Sequence, residues 1–147
     1  MRLMAGALGI GALVVCLVGA TGCGNSRSTS GHQRITIGFS MDSLQLERWQ
    51  HDRDAFVAEA NTLGADVLVQ SAEGNDATQV QQAEDLLTDG VDVLVVVPHN
   101  GDIAASIVNS AKRQHVPVLS YDRLIRNSEI DFYISFDNVR VGELHAK

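Results

Sequence analysis

VDVLVVVP, residues 91 to 98, is apolar at every position but Asp92 and stops on a proline. A strand with one face in water alternates apolar and polar residues. A run this continuous fits a strand covered on both faces, as in the middle of a parallel sheet. Val91 to Val97 is therefore read as the third strand, and Pro98, which has no N–H for a ladder, ends it. Upstream, ITIGF (35–39) and Val67-Leu68-Val69 read as the first and second strands. The helix between them keeps Phe56, Ala60 and Leu63 on one face and meets a suitable C-cap in Gly64. Asn75 or Asp76 caps the next helix, which turns Val80, Ala83, Leu86 and Leu87 inward and ends at Gly90. Downstream, Ile103, Ile107 and Ala111 form the seam of a third helix. Val116 to Tyr121 is the fourth strand, with Pro117 tolerable at its start, and Phe132 to Phe136 is the fifth. Asp137 or Asn138 caps a last helix, of which about two turns precede Lys147.

Short apolar runs alternating with helical patterns predict an α/β fold with a doubly wound parallel sheet. Ligands of such sheets sit outside the carboxyl ends of the strands. The residues to weigh are thus Ser40 to Asp42, Gln70 to Asn75, Pro98 to Asp102, Tyr121 to Arg123, and Asp137-Asn138.

The chain of 147 residues has a one-domain length and a globular composition, 45 % hydrophobic and 20 % charged. A net charge of −7 without any Lys/Arg cluster argues against nucleic acid as a partner. The first 22 residues stand apart. Arg2 gives a short positive start, Leu8 to Ala20 is apolar or small, and Thr21-Gly22 precedes Cys23. This looks like a bacterial lipoprotein signal, with Cys23 as the lipidated first residue, although Ala20 stands where that pattern usually has Leu. Cleavage by ordinary signal peptidase is the alternative. The run is short for a membrane span of about 20 residues. Cys16 falls inside the run and carries no role. GNSRSTSGHQR after Cys23 reads as a flexible tether over residues 23–33. The folded part then starts at Arg34, outside the cytoplasm.

The strand-end loops are rich in Asp, Asn and Arg, which suits sugar hydroxyls: a carboxylate accepts from a hydroxyl while a guanidinium donates to its oxygen. A sugar also has an apolar C–H face, which the single tryptophan, Trp49, suits. Asp122-Arg123 is a compact acceptor-plus-donor pair directly after a strand. Bland readings stand beside these. Arg48 and Arg53 can pair along a solvated helix face, Trp49 can anchor the core, and Asp122-Arg123 can be a turn ion pair. The first βα turn lacks both GxGxxG and GxxxxGK[ST], so dinucleotide and NTP binding find no support, and there is no GxSxG elbow. His32, His51, His99, His115 and His145 have no metal-ligand spacing and read as surface residues. A receiver domain needs more acids after the first strand than Asp42. No nucleophile–base pair, cofactor site or metal site is visible, so a binding protein is expected rather than an enzyme.

LERWQHDRDAF, GADVLVQSAEGND, GVDVLVVVPHNG, VPVLSYDR and IDFYISFDNVRVGELHAK carry a family resemblance. From Ile35 to Lys147 the chain resembles the N-terminal lobe of periplasmic sugar-binding proteins of ABC importers, the type I, ribose/galactose-like group. Within that group it is most similar to the branch that takes D-xylose. The resemblance implies that Arg48 and Trp49 meet the sugar from the first helix, Trp49 by stacking. It also implies that Arg123 hydrogen-bonds hydroxyls with Asp122 beside it as acceptor or positioner, and that Asp42 is a weaker contact. It implies a monosaccharide ligand and an ABC permease as partners. Family members run to about twice this length and close two lobes on the sugar. On that pattern residues 34–137 are the sugar-binding lobe and 138–147 start the first helix of a second lobe, so the chain reads as truncated. A lone lobe would bind weakly and leave a sheet edge unprotected. The sequence therefore points to an exported, lipid-anchored solute-binding protein of a sugar importer. A remnant that binds nothing, or a one-lobe sensor or accessory lipoprotein, is the alternative.

Overall fold

The computed structural model describes residues 34–147. The expected signal, Cys23 and the expected tether over residues 23–33 lie outside the described residues. Five strands, β1 (Thr36–Met41), β2 (Asp66–Ser71), β3 (Val93–Val96), β4 (Val118–Tyr121) and β5 (Phe132–Ile134), pair in parallel in the order β2-β1-β3-β4-β5. Four helices, α1 (Glu47–Thr62), α2 (Asp76–Thr88), α3 (Ala105–Arg113) and α4 (Asn138–His145), alternate with them in the chain. This is the doubly wound α/β architecture that the sequence predicts.

The chain runs outward from β1 to β2, then returns past β1 to β3. Right-handed crossovers turn that reversal into two layers, with α1 on one face and α2 and α3 on the other. Two cores result. Phe39, Met41, Trp49, Val95 and Val97 pack on the α1 face, with Phe56, Val67 and Leu119 against them. Ala83, Leu86, Leu94, Val96, Ile107, Val108, Ala111 and Val118 pack on the other. β3 feeds both in alternation: Leu94 and Val96 point one way, Val95 and Val97 the other. The unbroken apolar run of residues 93 to 97 is the direct consequence of that double coverage.

The helix ends show where periodicity stops being a guide. Leu63, placed by its spacing on the inner face of α1, is 76 % exposed. The helix finishes at Thr62 with Leu63 as its C-cap, and Gly64 at φ +85° reverses the chain there, so Leu63 stays at the exposed helix end. Trp49 and Ala60 supply the buried positions of α1 instead. Ile103 is likewise exposed, in the turn before α3, while Ile107, Val108 and Ala111 are buried. At α2 the cap is Asn75, whose side chain accepts from the Thr78 N–H at 2.9 Å. Asn75→Ala should cost about 1 kcal/mol of stability, read as a lower urea midpoint. β5 is shorter than its predicted extent, pairs only with β4, and exposes Phe132, Tyr133 and Ile134.

Candidate functional site

The strand order reverses between β1 and β3, so the loops leaving their carboxyl ends diverge and open a crevice. Asp42 directly follows β1 at the floor of that crevice and is only 7 % exposed. Its two carboxylate oxygens are both engaged. Oδ1 accepts from Nδ1 of His99, which follows Pro98 after β3, at 2.7 Å. Oδ2 accepts from Nη1 of Arg123, which follows β4, at 2.7 Å. The same Nη1 donates to the Pro98 carbonyl at 3.2 Å. Three loops thus meet on one carboxylate. They bound a cleft of about 230 Å³ lined by Asp42, Ser43, Trp49, Glu73, His99 and Arg123 among others.

The arrangement offers mixed hydrogen-bonding character in a small space. Among the described residues Nε and Nη2 of Arg123 have no hydrogen-bond partner, and its side chain is 43 % exposed. Because a carboxylate can only accept, the hydrogen between Asp42 and His99 sits on Nδ1. Glu73 closes another side with φ +50°, its carboxylate taking donors from Ser71, Ser43 and Gln45. The Ser71 hydroxyl above all holds the Glu73 carboxyl below the usual range.

Trp49 is 3 % exposed and belongs to the α1-side core while also walling the cleft. The guanidinium carbon of Arg48 lies 4.3 Å from its ring centroid and that of Arg123 5.7 Å away. Both cations are within cation–π range of the indole. Arg48 also lies 5.3 Å from the Phe136 ring, and its Nη2 donates to Asp122 Oδ1 at 2.5 Å. Asp52 stands 3.7 Å from Arg48 Nε and accepts from the Tyr121 hydroxyl. Burial, helped by the Asp52 charge, raises the Tyr121 hydroxyl above its ordinary value, so it remains a donor.

Asp42, Trp49 and Arg123 therefore share one cleft, and Arg48 with Asp122 forms a second pair against the outer face of Trp49. One expectation needs correcting. Asp122 does not position Arg123, nor do the two form a turn ion pair. Arg123 N–H donates to the Tyr121 carbonyl across Asp122 at φ +62°, and this tight turn sends the adjacent side chains to different partners. Arg123 goes to Asp42 and Asp122 to Arg48. Arg53 pairs with its neighbour Asp54 at 2.7 Å, which is the solvated-face reading. His99, read from the sequence as a surface residue, is a wall of the cleft. Its signal was its place immediately after the third strand's proline, which a search for metal spacing ignores. Among the described residues no three His, Cys, Asp or Glu side chains group closely enough to hold a metal ion.

Gly101 explains how the β4 loop comes close enough for Arg123 to reach Asp42. A Cβ at residue 101 would stand 2.5 Å from the Leu124 carbonyl oxygen, and the Gly101 carbonyl accepts from Arg126 N–H at 2.9 Å. Gly101→Ala should force the two segments apart and cost about 1–3 kcal/mol by overpacking, measurable as a shifted urea midpoint.

Residues 37–147 match the periplasmic binding protein domain, and the chain belongs to that family. Among its relatives, it is 51 % identical over 121 residues to the D-xylose-binding periplasmic protein of Haemophilus influenzae, covering 82 % of this chain and 36 % of that one. It is 54 % identical over 115 residues to the Escherichia coli protein of the same name, covering 78 % and 35 %. The chain thus spans about a third of the length of these relatives. Among solved structures, it superposes on a carbohydrate transporter solute-binding protein from Chloroflexus aurantiacus in complex with D-glucose. There the TM-score is 0.72 at 32 % identity, over 78 % of this chain and 34 % of that one.

Proposed function

We propose that this chain is an extracytoplasmic solute-binding lipoprotein of an ABC sugar importer, not an enzyme. Its lobe, residues 34–137, takes a monosaccharide, D-xylose before others, for delivery to the permease. The observation that carries the reading is the Asp42 carboxylate held between Arg123 and His99 at the floor of a cleft walled by Trp49. A sugar hydroxyl needs a donor and an acceptor close together, and a guanidinium and a carboxylate fixed at 2.7 Å provide both. The cleft sits where open α/β sheets bind their ligands. The D-xylose-binding periplasmic proteins of Haemophilus influenzae and Escherichia coli, to which the chain is similar, favour D-xylose as the sugar. Arg48 and Asp122 complete the sugar-facing set, Trp49 giving the sugar's C–H face an aromatic wall. Residues 1–22 serve as the export signal, Cys23 as the lipid attachment point that tethers the protein to the membrane, and residues 23–33 as the tether.

Isothermal titration of the purified chain with D-xylose, D-ribose, D-glucose and an amino acid tests the sugar site. Saturable heat that is strongest for D-xylose is expected. Preference for the amino acid, or no saturable heat with any sugar, overturns the reading. Labelling with a radioactive fatty acid, lost in Cys23→Ser, tests the anchor.

A further inference from the structure

We infer that Gln79 is a positioning residue of the cleft, acting on it through the turn that follows β3. Gln79 does not line the cleft. It is the fourth residue of α2 and is 2 % exposed. The β3 ladder ends at Val96, and Val97 N–H still reaches the Ser40 carbonyl at 2.9 Å. Past that point the Val97 carbonyl and the His99 N–H have no strand to bond to. Buried backbone groups left in that state are costly. Gln79 takes both. Its Nε2 donates to the Val97 carbonyl at 2.8 Å, and its Oε1 accepts from His99 N–H at 2.9 Å. A backbone carbonyl can only accept and a backbone N–H only donate, so the orientation of the carboxamide follows from its partners.

The two bonds bracket Pro98, and the turn they fix, through Pro98 and His99, holds the cleft's charged pair. The Pro98 carbonyl accepts from Arg123 Nη1, and the His99 ring donates to Asp42. The carboxamide thus plays the part of a missing strand: it pins the turn, and the turn places an acceptor on Arg123 and a donor on Asp42. α2 is itself anchored at this end, since Gln79 N–H donates to the Asn75 carbonyl and Asn75 caps the helix. Asn at residue 79 is one methylene too short to reach across. Met has the length but neither hydrogen-bonding group, and an ionised Glu has no donor for Val97. This role rests on the sugar-binding reading for its purpose, though not for its geometry.

The test compares Gln79→Met with Leu86→Ala, a control that opens the α2-side core on the same helix without touching the β3 turn. Two quantities are read. The first is the NMR signal of the hydrogen-bonded His99 Nδ1 proton in the sugar-free chain. The second is D-xylose affinity by titration. Gln79→Met is expected to remove or shift the His99 signal and to weaken D-xylose at least tenfold. Leu86→Ala should leave both unchanged despite an equal or larger drop in melting temperature. An unaltered His99 signal in Gln79→Met, or the same change in Leu86→Ala, overturns the inference. Should Gln79→Met not fold, Gln79→Glu keeps length and the acceptor for His99 N–H, and the same signal decides. If the unsubstituted chain binds no sugar, the sugar reading fails while the His99 signal still settles the part played by Gln79.

Discussion

Alanine in place of Trp49 is expected to lower the stability of the lobe by about 3–5 kcal/mol, the range for emptying a buried tryptophan site. That is a large share of the 5–15 kcal/mol that holds a typical domain folded. The size follows from the position. Trp49 is 3 % exposed, and its ring is packed among Phe39, Met41, Val95 and Val97 on the α1 face of the sheet. The strands beneath cannot close over the void, because Val95 is held in register by β1 and β4 and Val97 N–H is held by the Ser40 carbonyl. On the other side the substitution frees Arg48, whose guanidinium lies 4.3 Å from the ring centroid. Urea denaturation of Trp49→Ala measures the loss, and a midpoint close to the parent's would show that the indole is a wall and not a support. Trp49→Phe separates the two duties. It keeps much of the apolar contact, so most of the stability should remain. If the sugar rests on the indole, D-xylose affinity should fall nevertheless.

The double duty of Trp49 illustrates what a sequence reveals about such a lobe. Strand β3 was legible because burial on both faces leaves an unbroken apolar run, which no helix or half-exposed strand of that length needs. Asp42 and Arg123 were legible as loop residues at strand ends, since topology alone brings those ends together. Their partnership was not, because it depends on the φ of Asp122, which sends Arg123 to a residue 81 positions away rather than to its neighbour. Leu63 was misplaced for a related reason: spacing extrapolates a helix but does not say where its cap falls. Gln79 carried no signal at all. A lone glutamine on a helix reads as a solvent residue, and only the early end of the β3 ladder creates the two orphaned backbone groups that draw it inside.

On the proposed sugar-binding reading, exchanging Asp42 for asparagine is expected to weaken D-xylose binding by about 10- to 100-fold, with a smaller loss of stability. The aspartate is nearly buried and has donors on both oxygens, His99 Nδ1 and Arg123 Nη1, each at 2.7 Å. Asparagine keeps the shape but turns one of the two acceptors into an NH₂ group, so one donor must face another. Breaking a fully buried pair costs about 3–5 kcal/mol. Here His99 and Arg123 are 40 % and 43 % exposed and solvent compensates both, so about 1–2 kcal/mol is the fitting scale for stability. The binding loss is the larger fraction because hydrogen bonds to charged groups contribute about 1.5–3 kcal/mol, which is 10- to 100-fold in affinity. Comparison with Arg123→Met tells how Asp42 acts. Equal losses in the two variants mean that Asp42 serves only to hold Arg123 against the sugar. A greater loss in Asp42→Asn means that the carboxylate itself accepts from a sugar hydroxyl. Unchanged affinity in Asp42→Asn would remove the cleft from the binding reading and leave the carboxylate as a clasp between three loops.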